Sequence, residues 1–568
     1  AAWQNSLMAA IISRPADPQR IAALVNAGIH PVLARIYAAR NVSSHSELDC
    51  VLANLLPFQS LTGAKAMAEI LADAIAAQRK ILILADYDAD GATACAVGLR
   101  ALRSFGARVD YLVPNRFKFG YGLTPEIVAI AAQREPDFIL TVDNGIAAVA
   151  GVEAAKQLGI EVLVTDHHLP GAGVPNALCI VNPNQSGCEF ASKNLAGVGV
   201  IFYVMLALRA ELRARGAFAG DVPKLAELLD IVALGTVADV VKLDYNNRIL
   251  VSQGLRRIRA GRCCAGVLAL IEIAGRSRPT LNAWDLAFAL GPRLNAAGRL
   301  DDMSLGIELL VCDDPLRARE LAARLDALNR ERREIEADMQ ADAAIKLEHD
   351  SNGRYSLCLY DPAWHQGVIG ILASRIREAH HRPAIAFARG ENDELKGSGR
   401  SINALHLRDA LYLVGERLPG VIRKFGGHAM AAGLTIAEAD FERFSGEFEN
   451  VCRTLLDEHA LTEVIETDGS LALDDMTYAL ASELGDGVWG QGFASPLFYD
   501  EFQVDSQRVV AEKHLKLRLK KNDKSFDAML FFDTQTLPPR IRGAYQLSVN
   551  EYNGLQSLQL TLEYWEAL

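Results

Sequence analysis

A chain of 568 residues is too long for one hydrophobic core, so several domains are expected. Half of it is hydrophobic, yet no run approaches the ~20 apolar residues of a membrane span, and nine scattered cysteines without a CxxC pair fit reduced thiols rather than a disulfide framework or zinc knuckle. Seventy acidic against 58 basic residues, a net charge of −12, argue against a nucleic-acid partner unless the signs are segregated; Arg256, Arg257, Arg259 and Arg262 form one basic run, and Lys513 to Lys524 a denser one.

Residues 1 to about 60 read as short helices without a polar constellation, and the opening lacks the basic segment of a secretion signal. The expected location is the cytoplasm. From Ile81 strands and helices alternate. The run Ile81 to Leu84 suits a strand buried on both faces of a parallel sheet. It ends in Asp86, Asp88, Asp90 and Gly91, with a helix from Gly91 to about Phe105. An EF-hand is excluded, because the twelfth loop position, where a glutamate is required, falls on Val97. Val109 to Val113 is the next strand, leading into Arg116; Thr124 caps a helix; Phe138 to Val142 ends in Asp143; Val162 to Val164 ends in Asp166, His167 and His168. Three of these four strands deliver Asp or His at the same end, where open α/β sheets bind ligands. A further apolar helix from Ala226 carries Asp239, a carboxylate that is costly there unless paired or metal-bound.

Carboxylates with one or two imidazoles and no thiolate favour Mg²⁺ or Mn²⁺, and so many suggest two ions. Two ions ~3.5 to 4 Å apart clamp the attacking and leaving oxygens of a phosphoryl displacement. The expected chemistry is phosphoester hydrolysis.

Beyond this site, Arg293, Asn295 and Arg299 lie in a Gly-rich stretch suited to phosphate contacts. Leu316 to about Leu347 has the apolar spacing of one long connecting helix. Leu357 to Tyr360 and Ala384 to Phe387 are predicted strands, and Gly397, Gly399, Gly426 and Gly427 would let backbone N–H groups approach an anion, with Ser398, Arg400 and His428 as side-chain donors. The last hundred residues read as short strands of a small barrel, with Asn553-Gly554 at a hairpin. There Lys516, Arg518 and Lys520 alternate with Leu515, Leu517 and Leu519 on opposite faces of a strand.

The segments DYDADGAT, VDNG, TDHH and GTVADVV, in this order and spacing, resemble the four motifs of the DHH phosphoesterase superfamily. WHQGVIG, KGSGRS and FGGHAMAAG resemble its accessory DHHA1 domain, and the C-terminal barrel resembles the OB fold. The full set is similar, over essentially the whole chain, to the superfamily branch of bacterial 5′→3′ exonucleases specific for single-stranded DNA. The resemblance implies Asp86, Asp88, Asp143, His167 and Asp239 as metal ligands, Asp143 bridging. Asp88, Asp143, His167, His168 and Asp239 would be catalytic, with His168 beside the scissile phosphate. It further implies two divalent cations, Mn²⁺ preferred or Mg²⁺, and DNA or phosphate contacts from Arg116, Arg293, Asn295, Arg299, Ser398, Arg400, His428, Lys516, Arg518 and Lys520.

The expected fold is therefore α/β: a doubly wound, mostly parallel sheet, a long connecting helix, a smaller α/β domain and a C-terminal β-barrel. The corresponding boundaries are 1–60 (helical), 61–312 (DHH), 313–350 (connecting helix), 351–458 (DHHA1) and 459–568 (OB fold), with the DHH and DHHA1 domains expected to form a cleft that the barrel feeds. The expected partners are single-stranded DNA, a single-strand-binding protein and a helicase, with no membrane, and the chain a monomer. The rival readings are a DHH phosphodiesterase of short oligonucleotides or cyclic dinucleotides, which would need no barrel, and a non-catalytic single-strand-binding relative, which would need no full carboxylate set.

Overall fold

The computed structural model describes residues 9–114, 122–171, 173–347, 353–552 and 554–568; Arg116 and Asn553 lie outside them. The chain forms two compact units, one of residues 18–330 and 486–495, the other of residues 1–17, 331–485 and 496–568. Among the described residues no helix is long and apolar enough to cross a membrane.

The described chain opens with a strand that the sequence reading took as helical, β1 (Ala10–Ser13), which pairs in parallel with β12 (Val464–Thr467) of the same unit. Its partner is more than 450 residues away, and four residues with no alternating pattern carry no local strand signal.

In the unit of residues 18–330, five strands form a wholly parallel sheet: β2 (Lys80–Ala85), β3 (Arg108–Leu112), β4 (Phe138–Val142), β5 (Glu161–Thr165) and β6 (Cys179–Val181). Their spatial order is β3-β2-β4-β5-β6. The chain leaves β2 in one direction to reach β3 and passes β2 on the other side with β4, so the crevice beyond the ends of β2 and β4 is the topological switch point of the sheet, where ligands bind. The aliphatic run Ile81 to Leu84 is fully buried, as a strand covered on both faces requires. β6 was not foreseen, being three residues long.

In the other unit, β7 (Leu357–Tyr360), β8 (Ala384–Arg389), β9 (Glu394–Arg400), β10 (Ile422–Gly427) and β11 (Ala431–Ala437) form a mixed sheet of order β10-β11-β9-β8-β7. The glycine-rich segments expected to wrap an anion are instead strands. Gly397 and Gly399 lie on β9, laddered between β8 and β11. A Cβ on Gly397 would sit 2.5 Å from Phe387 Cε1 and one on Gly399 2.9 Å from Leu407 Cδ2, so these glycines admit core side chains, not a ligand. Gly426 and Gly427 end β10 at a tight turn, closed by a bond from the His428 N–H to the Ala431 carbonyl. The last five strands, β13 (Phe498–Val510), β14 (His514–Lys521), β15 (Lys524–Leu530), β16 (Arg540–Tyr552) and β17 (Leu555–Ala567), close a barrel in the order β13-β14-β15-β17-β16. The predicted connecting helix runs unbroken over Pro315–Leu347, 33 residues or about 50 Å.

Candidate metal centre

The centre is assembled from four segments of the unit of residues 18–330. After β2, Asp88 caps the helix Ala89–Ser104, its Oδ1 accepting from the Gly91 N–H at 3.0 Å. The helix starts two residues before the sequence suggested, because Asp88 is the cap, so Asp90 rides on its first turn. There both Asp90 carboxylate oxygens accept N–H bonds from the start of another helix, Gly197–Ala214: Gly197 at 2.6 Å and Val198 at 2.8 Å. After β4, Asp143 takes a positive φ of 62°. After β5 come Asp166, His167 and His168. Asp239 is the C-cap of the helix Leu229–Ala238, the end of the apolar segment in which the sequence placed it.

His167 is the hub. Its Nε2 lies 3.1 Å from Asp143 Oδ1, 3.5 Å from Asp239 Oδ2 and 3.8 Å from Asp90 Oδ2. Three groups of ligand atoms, each within 4.8 Å of one another, could hold a cation: Asp86, Asp88 and Asp143; Asp90, His167 and Asp239; Asp143, His167 and His168. Asp143 belongs to two of them. The donor set fits a hard divalent cation: carboxylate oxygens with one or two imidazoles and no thiolate.

The electrostatics say what that fit relieves. Burial, then the charges of Asp90, Asp88, Asp239 and Asp86, hold the Asp143 carboxyl well above the usual range. Burial followed by Asp90 and Asp88 does the same to Asp239, and burial followed by Asp88 raises Asp90 to about 7. Crowded carboxylates of this kind are ionised together only when a cation compensates them.

Around the cluster stand residues that sequence reasoning left without a role. Asp166, buried, commits both oxygens to hydrogen bonds: its Oδ2 accepts from the Ile146 N–H at 2.9 Å, and its Oδ1 from the His167 and His168 N–H groups and from His168 Nδ1 at 2.8 Å. Burial alone would raise this carboxyl, but the His168 contacts, with the Ile146 N–H bond and His167, outweigh it and hold it low. Burial likewise opposes the charge on His168, and the bond to Asp166 together with the charges of Asp166, Asp86 and Asp90 overcomes it and raises the imidazole above its ordinary value. Asn182 and Asn184 donate to the His168 and His167 carbonyls at 2.9 and 2.6 Å, fixing the paired histidines. Gly197 has to be glycine, since a Cβ there would lie 2.5 Å from that of Asp143. The sequence signal for it was the pair of glycines at Gly197 and Gly199.

Of the other predicted site residues, Asn295 comes to the centre. It lies on the helix Gly291–Leu300, and its Oδ1 accepts the Ala89 N–H at 2.8 Å, holding the aspartate turn. A Cβ on Gly298, one turn away, would strike the Tyr87 carbonyl. Arg299 shares that helix face. Arg293 is engaged by Asp326, Nε and Nη2 both at 2.9 Å. In the other unit, Ser398 and Arg400 share one face of β9 and are joined by a 3.1 Å bond from Arg400 Nη1 to Ser398 Oγ. Gly370, in the first turn of the helix Ile369–His380, abuts both, a Cβ there lying 3.0 Å from each side chain. His428 is exposed on its hairpin. On β14, Lys516, Arg518 and Lys520 face outward while Leu515, Leu517 and Leu519 are buried, and Arg518 pairs with Asp527 on β15 at 2.8 Å.

The class of protein is that of the DHH phosphoesterases. Residues 80–236 match the DHH family N-terminal domain, and residues 353–454 the DHHA1 domain. Residues 467–564 match the RecJ OB domain. Over 94% of its length the chain is 52% identical to the single-stranded-DNA-specific exonuclease RecJ of Dickeya dadantii, covering 95% of that protein, and 50% identical to that of Escherichia coli, covering 96%. The crystal structure of Thermus thermophilus RecJ in complex with Mn²⁺ superposes with a TM-score of 0.84 over 98% of this chain and 79% of that one, at 30% identity. The chain belongs to the RecJ family.

Proposed function

We propose that this chain is a divalent-cation-dependent exonuclease that hydrolyses the phosphodiester bonds of single-stranded DNA from the 5′ end, in DNA repair and recombination. The observation that carries the reading is the convergence of Asp86, Asp88, Asp90, Asp143, His167 and Asp239 at the switch point of the sheet, in a chain half identical to single-stranded-DNA-specific exonucleases over nine-tenths of its length. Asp86, Asp88 and Asp143 would hold one cation and Asp90, His167 and Asp239 a second, with Asp143 shared; Mn²⁺ is the preferred ion and Mg²⁺ the alternative. Such a pair supplies a hydroxide nucleophile at neutral pH and charge compensation for both reacting oxygens.

The chain's own groups do the rest. His168, oriented by the 2.8 Å contact of its Nδ1 with Asp166, presents its other ring nitrogen to a phosphate oxygen beside the ions. Asn295 holds the aspartate turn in register. Ser398 and Arg400 receive the 5′-terminal phosphate, with Arg116, Arg293, Arg299 and His428 as further phosphate contacts, and Lys516, Arg518 and Lys520 follow the strand. The protein works in the cytoplasm as a monomer, off the membrane, and acts with a single-strand-binding protein and a helicase.

The test is Mn²⁺-dependent digestion of end-labelled single strands, duplexes and dinucleotides, side by side. Release of nucleotides from the labelled 5′ end of single strands alone is expected. Preference for dinucleotides would move the reading to a small-substrate phosphodiesterase, and binding without cleavage to a non-catalytic relative.

A further inference from the structure

The helix Gly197–Ala214 begins at the metal centre, and it ends in an unrelated basic hollow. Arg209 and Arg213 lie one turn apart near its end, about 18 and 24 Å along the axis from Gly197. Lys224 precedes the short turn Leu225–Leu228, Arg257 lies in the last turn of the helix Tyr245–Arg259, and Arg262 follows that helix. These five side chains line two adjoining cavities of about 560 and 610 Å³ that share Arg209 and Lys224. The volumes are in the range that takes a nucleotide-sized ligand.

The charge is what requires explanation. Cations at helix C-termini are favoured by the helix dipole, but one or two suffice for that. Here five converge on a chain of net charge −12, and Glu227 is the one carboxylate among the lining residues. Among the described residues none of the five forms an ion pair, in contrast to Arg215 on the same helix, which is paired with both Asp73 and Glu211. Arg257 Nε is buried without a hydrogen-bond partner. Asp230, whose carboxylate feels the Arg257 charge without forming an ion pair with it, accepts the Cys264 N–H on Oδ2 at 2.7 Å and leaves Oδ1 buried without a hydrogen-bond partner. Burial and then the neighbouring Arg213 disfavour the charged form of Arg209. Arg209, which reaches the Pro223 carbonyl at 3.4 Å, and Arg257 are half-buried, while Arg213, Lys224 and Arg262 are exposed at the rim; guanidinium groups held close together without a carboxylate partner are suited to the bidentate capture of a phosphate.

We infer that this hollow is a second oxyanion site, separate from the metal centre, that binds a phosphate-bearing ligand of nucleotide size. The phosphates could belong to a free nucleotide or to a stretch of the bound strand, and the two sources give different readouts. The inference does not rest on the exonuclease reading, because the site can be filled with no turnover.

Inorganic pyrophosphate is titrated calorimetrically into the full chain with EDTA present, comparing the parent with Arg209→Gln/Arg257→Gln and with Arg400→Ala. A binding event that survives Arg400→Ala and weakens about tenfold or more in the double variant is expected. Should that variant melt abnormally, Arg213→Gln/Lys224→Gln, at exposed positions, carries the same expectation. For the source, the salt dependence of oligothymidylate binding is compared in parent and variant: a log-log slope flattened by roughly 0.7 per lost contact assigns the site to the strand, and an unchanged slope assigns it to a free nucleotide. Pyrophosphate binding unaltered in both double variants, binding removed by Arg400→Ala alone, or capture of a polyglutamate peptide with no pyrophosphate binding would overturn the inference.

Discussion

Asp143 carries two burdens at once, a left-handed backbone and a carboxylate among four others. The φ of 62° is one that aspartate tolerates better than most residues, and the bond from its N–H to the Thr165 carbonyl at 3.1 Å keeps it in line with β5. Asp143→Asn should therefore fold but lose roughly a thousandfold or more in Mn²⁺-dependent turnover, since one clamp oxygen loses its charge. It should also melt higher than the parent in EDTA at pH 7.5. The sign follows from the raised carboxyls of Asp143, Asp239 and Asp90, the last at about 7. The unfolded chain releases these protons near pH ~4 while the folded chain retains them, so metal-free stability falls as pH rises from there through 7. The parent–variant gap should shrink toward pH 5, and a gap of constant size across melting curves would contradict the assignment. If Arg400 receives the 5′-terminal phosphate, Arg400→Ala should slow cleavage of a 5′-phosphorylated strand far more than of a 5′-hydroxyl one. An equal loss on both would leave Arg400 as a support for Ser398 and the Gly370 turn.

At the scale of elements, the centre depends on two helices whose contribution no motif announced. The helix Gly291–Leu300 holds the aspartate turn through Asn295, and Gly197–Ala214 holds Asp90 through its first N–H groups. If Asn295 orients the aspartates, Asn295→Ala should weaken the Mn²⁺ dependence of activity about 10- to 100-fold with little change in the KM for DNA at saturating Mn²⁺. A raised KM with unchanged Mn²⁺ dependence would make it a phosphate ligand instead. What was legible followed from local pattern: a buried strand ending in acid announces itself within ten residues, as Ile81 to Asp90 and Phe138 to Asp143 did. What was not legible depended on distant partners. Nothing near Asp90 reveals that Gly197 lies against it, and nothing in KGSGRS reveals that Phe387 and Leu407 fill the space above its glycines. Asp166 carried the same residue type as the candidate ligands beside it, and its four hydrogen bonds are what separate a carboxylate that positions histidines from one free to meet an ion.

For the whole molecule the question is how a chain of net charge −12 holds a polyanion. Its positive charge has to be local, and β14 is the densest case. That strand is paired on both sides, with β13 and β15, inside a closed barrel, so its lysines do not serve to blunt an exposed edge. Lys516, Arg518 and Lys520 stand on one outward face, about 6 to 7 Å apart in succession by the strand rise. That is close to the phosphate spacing of an extended single strand. Arg518 is already committed to Asp527, and the neighbouring Lys521 to Asp500 at 2.6 Å, which leaves Lys516 and Lys520 as the more available charges. Each lost phosphate contact flattens the log-log salt dependence of single-strand binding by roughly 0.7. Replacing all three residues with glutamine should therefore lower the slope by about 1.4 if Arg518 stays with Asp527, and by about 2 if the strand draws it away. Binding to long strands should weaken in parallel, while hydrolysis of a very short single-stranded oligonucleotide, which has no length to track along the barrel, changes little. A salt titration of the triple variant that retains the parent's slope would show that this face of the barrel does not touch the phosphates.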